Sequence, residues 1–284
     1  MNWIFASLLM LLSSILTYLA IRWAKDQKIE VNFQNLAMFM LPGFVYLFLI
    51  LINGISLKID LTEFLILLGN GVFFSWLGNF ISLKALKEAP NPGYSLIISK
   101  SYVVMTSVLS VWLFSSELTV QSIIAILMII AFSALIIIDK AGKKTENKRW
   151  LLYTMYAFFA WGFQALILKY LSDTGLDKLV ILIYLQVIGS LLILLQIILN
   201  KSKFIIAKTS LITIAIIGIA WSGFNFFMME GYKLAPNPGY INAVNATSIA
   251  FVTVFSSVLF KDELNLRKVI GVLGIIGSLI ILFL

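Results

Sequence analysis

The hexapeptide Ala89-Pro90-Asn91-Pro92-Gly93-Tyr94 returns letter for letter as Ala235-Pro236-Asn237-Pro238-Gly239-Tyr240, 146 residues later in a chain of 284. The same offset aligns Asn79-Phe80 with Asn225-Phe226, Lys87 with Lys233, Leu113-Phe114 with Leu259-Phe260, and Glu117-Leu118 with Glu263-Leu264. So long a register is not produced by chance, and the chain reads as a duplication. Four of the five prolines sit in the two hexapeptides, where a missing N–H and a fixed φ suit a turn between helices.

Working outward from these turns, runs of about 20 apolar residues fill the chain, the length that a bilayer sets for a helix. Breaks at charged or Pro/Gly/Asn-rich points give ten expected spans: 3–23, 34–54, 61–86, 93–115, 119–139, 150–171, 179–199, 210–233, 239–260 and 265–284. Hydrophobic residues make up 61% and charged ones 12%, against roughly 45–50% and 25% in soluble domains. Backbone groups in lipid must be satisfied within each segment, so the fold class is all-α integral membrane, with ten transmembrane helices. The run from Trp3 to Ile21 lacks a basic leader and a small-residue cleavage site, and reads as a first span and not as a signal peptide.

Five helices per copy is an odd number, so the second copy enters the membrane from the opposite side. The expected architecture is two inverted five-helix repeats, residues 1–139 and 150–284, joined by a basic linker at 140–149. The connections after helices one, three, five, seven and nine hold most of the lysine and arginine, from Arg22, Lys25 and Lys28 to Lys261, Arg267 and Lys268. Lys58, Lys169, Lys178 and Lys233 fall on the opposite side. The positive-inside rule then makes the linker cytoplasmic and leaves both termini outside. The net charge of +8 thus reports orientation, and no nucleic-acid partner is expected. The compactness of the chain suggests a prokaryotic plasma membrane.

Ten helices in two halves, a Pro/Asn/Gly turn entering helices four and nine, and the pairs Glu117-Leu118 and Glu263-Leu264 leading into helices five and ten resemble the EamA-type branch of the drug/metabolite transporter superfamily. The resemblance covers nearly the whole chain. It implies a central cavity lined by helices one, three, four, six, eight and nine and worked by alternating access. Members commonly place both termini in the cytoplasm, from which the charge count here departs.

The chain has no cysteine and no histidine, which removes thiolate chemistry, Cys/His metal sites and histidine acid–base catalysis. No phosphate-binding loop motif occurs, and an enzyme or a cofactor is not expected. Lys100 is the one basic residue well inside a span, roughly 10 Å past Gly93 at 1.5 Å per residue. A cation at that depth is a candidate ligand for a substrate carboxylate or phosphate; snorkelling to the headgroups is the alternative. Asn242 and Asn245, opposite Leu96 and Ser99 in the other repeat, are candidates because the asymmetry suggests a particular ligand. The matched pair Asn79 and Asn225 also fits interhelical packing. Trp76, Tyr102, Trp161 and Trp221 offer stacking surfaces, and Ser99 and Gln164 hydrogen bonds. Glu230 reads as a solvated helix-end charge, with proton carriage as the alternative. The glycines at 271, 274 and 277 read as a packing seam or a contact with a second copy.

The expected function is secondary transport of a small polar organic solute, an amino acid or related carboxylate-bearing metabolite. A coupling proton and a homodimer are candidate partners beside the lipid bilayer. Multidrug or organic-cation efflux is the alternative, disfavoured because the small multidrug carriers of the superfamily it resembles rely on a Glu in the first helix and the span 3–23 has no acid. A channel or a scaffold ranks lower, with no filter ring in sight.

Overall fold

A computed structural model describes residues 1–89, 92–138, 148–200 and 208–284. Among them ten helices are long and apolar enough to cross a membrane: α1 Trp3–Asp26, α2 Val31–Asn53, α3 Leu61–Glu88, α4 Tyr94–Phe114, α5 Val120–Ile137, α6 Arg149–Asp173, α7 Lys178–Leu199, α8 Ser210–Leu234, α9 Pro238–Leu259 and α10 Leu266–Phe283. The protein is an all-α integral membrane protein, as its hydropathy predicts. Several helices overrun the expected spans at the basic ends: α1 continues past Arg22 and Lys25 to Asp26, and α3 reaches Glu88. Charged side chains stop the apolar run but not the backbone ladder, because at the interface they reach water while the helix continues. Most of the expected linker, residues 139–147, lies outside the described residues; Lys148 and Arg149 open α6.

Side chains fix the helix starts. Asn2, Asp60, Thr119, Asp177, Asn237 and Asn265 each accept a hydrogen bond from a backbone N–H of the turn they begin. Thr119 and Asn265 are partners at the 146-residue offset, so each copy starts its fifth helix with the same device. Helix α2 runs through Pro42 unbroken. Helix α3 widens into a π-helical stretch at Asn70–Trp76 before resuming the α form.

The contacts between the halves are reciprocal. α1 packs most extensively on α8 and α3 on α6; α2 lies on α7, α4 on α9 and α5 on α10. The first helix of each half therefore meets the third of the other, and the second, fourth and fifth meet their own counterparts. A two-fold relation between five-helix units would generate such a pattern of exchanged partners. Close approach depends on small residues, as it does wherever lipid removes the hydrophobic drive for helix association. At Gly189 a Cβ would stand 2.1 Å from the Phe39 ring. Gly271 and Gly274 receive Ile136 and Phe132 of α5, so this part of the glycine stripe is an intramolecular seam; a second copy has only Gly277, with nothing within 4 Å, left to meet. Large apolar side chains that face outward, such as Phe48, Leu51, Trp112 and Ile198, meet lipid.

Candidate functional site

Two of the ten helices are discontinuous, and at matching places. The helical segments Pro92–Lys100 and Tyr102–Phe114 meet within α4, and Pro238–Ala246 and Ser248–Leu259 within α9. The interruptions fall at Ser101 and Thr247, which are 146 residues apart. The Ser101 hydroxyl donates to the Ile97 carbonyl at 2.8 Å, and the Thr247 hydroxyl to the Val244 carbonyl at 2.6 Å. A hydroxyl bonding back onto its own helix competes with the ladder and bends it. Interrupted helices at corresponding positions of two halves point to the substrate site in transporter folds, because the loosened backbone turns toward a cavity.

Lys100 directly precedes the break in α4. It lines a cavity of about 920 Å³ whose deepest residues by helix position are Tyr18 of α1, Lys100 of α4 and Ser248 of α9. The walls above them are apolar, with Ile21, Leu96, Ile136, Ile249 and Val252, and the mouth carries Lys25, Lys28, Glu263 and Lys268. The cavity therefore opens toward the side of the basic connections. The Lys100 ammonium lies 5.8 Å from the centre of the Trp161 ring, a cation–π contact. Among the described residues no carboxylate forms an ion pair with it. Inside a low-dielectric wall, an ammonium with only an aromatic partner is a strong attractor for an anion.

Behind Lys100 the polar groups continue toward α9. Trp161 meets Tyr102 edge-on at 6.1 Å. Tyr102 has Asn245, Tyr18 and Tyr232 around it. Asn245 accepts from the Ser14 hydroxyl at 3.1 Å, and Asn242 accepts from the Tyr232 hydroxyl at 2.6 Å. The Asn242 amide nitrogen is buried with no partner. Of the residues singled out from sequence, Lys100, Tyr102, Trp161, Asn242 and Asn245 thus come together. Ser14, Tyr18, Tyr232 and Ser248 join them, and nothing in the local sequence set those four apart from packing residues.

Of the other candidates, three make contacts within their own helices and two line another cavity. Ser99 is buried and donates to the Leu96 carbonyl at 3.1 Å. Asn225 donates to the Trp221 carbonyl at 2.9 Å, and Trp221 stacks on Phe224 at 4.6 Å, both interactions within α8. Gln164 is half-buried on α6. Trp76 and Asn79 line a different, smaller cavity between α2, α3 and α7.

The opposite end is shut. Asn237 is fully buried and donates from its amide to the carbonyls of Ser107 (3.0 Å) and Glu117 (3.1 Å); Tyr240 donates its hydroxyl to the same Glu117 carbonyl at 3.0 Å. Glu117 in turn donates its N–H to the Pro236 carbonyl at 3.2 Å. The second hexapeptide is in this way clamped on the α4–α5 corner. Gly239 is required there, because a Cβ would stand 2.8 Å from the Ser107 Cα. Beside it Glu230 forms an ion pair with Lys178, whose ammonium lies 4.3 Å from the Phe226 ring centre. Glu230 is a paired and largely buried group, not the solvated helix-end charge that its position suggested. At the cavity mouth Arg22 holds Asp262 in a two-pronged contact, Nε to Oδ2 at 3.2 Å and Nη2 to Oδ1 at 3.0 Å. These hydrogen bonds, and then the positive charge itself, keep the Asp262 carboxyl below the usual carboxylate range.

A ten-helix chain long and apolar enough to span a membrane thus encloses a cavity that opens toward the basic side. Residues 148–284 match the model of the EamA-like transporter family. A protein of Archaeoglobus fulgidus described as an uncharacterized transporter is 25% identical over 226 residues, 80% of this chain and 78% of that one. Its second half is thus an EamA-like region. A solved crystal structure, 15% identical and aligned over 98% of both chains with a TM-score of 0.80, shares its fold. These likenesses support a membrane transporter, and among the described residues no cluster of acids able to hold a metal occurs.

Proposed function

We propose that the protein is a secondary transporter for a small carboxylate-bearing solute, an amino acid or a related metabolite, working by alternating access between two inverted repeats, 1–139 and 150–284. The observation that carries the reading is Lys100. An ammonium beside an indole, and among the described residues without an ion pair, lies at the deep end of the cavity, next to the break in α4. A carboxylate there gains a charge-assisted hydrogen bond, and the Tyr102, Asn245 and Asn242 amides and hydroxyl beyond it suit the polar remainder of the solute. The cavity volume lies toward the upper end of the roughly 300–1,000 Å³ typical of small-molecule sites, with room for the solute and the passage it enters by.

In this reading the present form is open to the basic side, which the positive-inside rule makes the cytoplasm. Thermal-shift screening of the purified protein against amino acids, organic cations and sugar nucleotides, repeated on Lys100→Ala, tests the proposal. Stabilisation by a carboxylate-bearing ligand that disappears in the variant supports it. Stabilisation by cations, unchanged in the variant, would transfer the assignment to drug efflux.

A further inference from the structure

On α3 the residues Trp76, Asn79, Phe80, Leu83, Lys84 and Lys87 follow at three- and four-residue spacing, so they share one face of the helix. That face lines a second cavity of about 380 Å³ at the basic side, which adjoins the one that holds Lys100 across Glu30 and Val31. Its opposite wall is a directed chain of hydrogen bonds. Trp76 Nε1 donates to Gln196 Oε1 at 3.3 Å, Gln196 Nε2 to Asn32 Oδ1 at 3.5 Å, and Asn32 Nδ2 to Glu30 Oε1 at 3.1 Å. The one acid lining the cavity thus receives a donor from the wall itself. Lys84 lies over the Tyr153 ring at 4.7 Å, and among the described residues neither Lys84 nor Lys87 forms an ion pair.

The 146-residue offset supplies the comparison. Lys84 corresponds to Glu230, Asn32 to Lys178 and Phe80 to Phe226. At the outer end Lys178, Glu230 and Phe226 close on one another as an ion pair capped by a ring. At the basic end the acid is replaced by a lysine and the base by an amide, so the corresponding groups cannot pair. Among the described residues the chain pairs the lysine of the outer end with an acid, whereas at the basic end Glu30 is held by Asn32 and neither lysine forms an ion pair.

We propose that this slot binds the phosphate headgroup of an anionic phospholipid in the leaflet on the basic side. Lys84 and Lys87 supply the charge in the last turns of α3, at headgroup level, as basic pockets between membrane helices do. Asn79 and Asn35 offer amides to the headgroup oxygens. Phe80 and Val31, both exposed at the slot, give the acyl chains an apolar surface that a free phosphate would not use. Trp76 and Asn79 then belong to a lipid site and not to the solute site.

Native mass spectrometry of the full chain released from nanodiscs of mixed phosphatidylglycerol and phosphatidylcholine tests this independently of any transported solute. The wild type retains phosphatidylglycerol preferentially. Lys87→Gln lowers that retention, and the double variant Asn32→Lys/Lys84→Glu, which rebuilds the outer ion pair, abolishes the preference; about fivefold is expected for each lysine charge removed. If the double variant fails to fold, Lys84→Gln/Lys87→Gln gives the same reading. Unchanged phosphatidylglycerol retention in these variants overturns the proposal. So does a thermal stabilisation by inorganic phosphate in detergent that equals that of the lipid and is lost in Lys87→Gln, because the ligand would then be a soluble anion.

Discussion

Lys100 and Asp262 are both charged groups near the cavity, and their surroundings give them opposite tasks. Among the described residues Lys100 has an aromatic partner and no ion pair with an acid, so its charge is available to a ligand. Hydrogen bonds to a charged group contribute about 1.5–3 kcal/mol, and Lys100→Met should therefore weaken binding of a carboxylate-bearing ligand about 10- to 150-fold, read as a shifted Kd in calorimetry, while the folded protein survives. Lys100→Arg should keep part of the affinity, since the charge remains and the fork differs. Asp262 is already committed to Arg22, which ties α1 to the turn before α10. A carboxyl whose pKa falls on folding adds stability that is complete above its unfolded value and is lost as the pH drops through the lower folded value. The difference in thermal midpoint between wild type and Asp262→Asn should therefore stay constant from pH 8 down to about 5 and narrow only in stronger acid. A difference that vanishes near pH 6 would mean that another group controls this contact.

At the scale of the elements, the breaks in α4 and α9 and the clamp at the second hexapeptide decide what can move. Ser101→Ala and Thr247→Ala remove the hydroxyls that bond back on Ile97 and Val244. Each should lower the rate of solute uptake into proteoliposomes more than it lowers the thermal midpoint, because the ladder regains its regular form. Gly239→Ala forces a Cβ against the Ser107 backbone, so it should loosen the outer corner and raise accessibility there, measured by hydrogen exchange of the Asn237–Tyr240 amides. The spans themselves were legible, because hydropathy and the repeated hexapeptide mark them from end to end. The breaks were not: a single serine or threonine in an apolar helix looks like any packing residue, and only the shared register of Ser101 and Thr247 could have flagged it. The faces of the helices were equally hidden. α3 is apolar around much of its circumference, so nothing in its pattern told that Trp76 and Asn79 face the slot beside α2 and α7 instead of the cavity at Lys100. Lys100 itself was legible as a candidate because a cation at that depth is unusual, with snorkelling to the headgroups as its other reading.

For the whole molecule, the reciprocal pairing of the halves and the contrast between a clamped outer end and an open basic end are what a carrier caught in one of two forms would present. If the halves exchange roles, residues at the deep end of the cavity must face each side in turn, a demand that a channel or a scaffold does not share. The absence of native cysteine makes the test direct. A single Ser248→Cys, placed at the bottom of the cavity, is reconstituted in proteoliposomes sorted by orientation and exposed to a membrane-impermeant thiol reagent from one side at a time. The account predicts labelling from the basic side in the resting protein, with labelling from the opposite side appearing, and that from the basic side falling, as transported solute is supplied. Labelling from one side only whatever solute is present, or from both sides at once at undiminished rate, would contradict it.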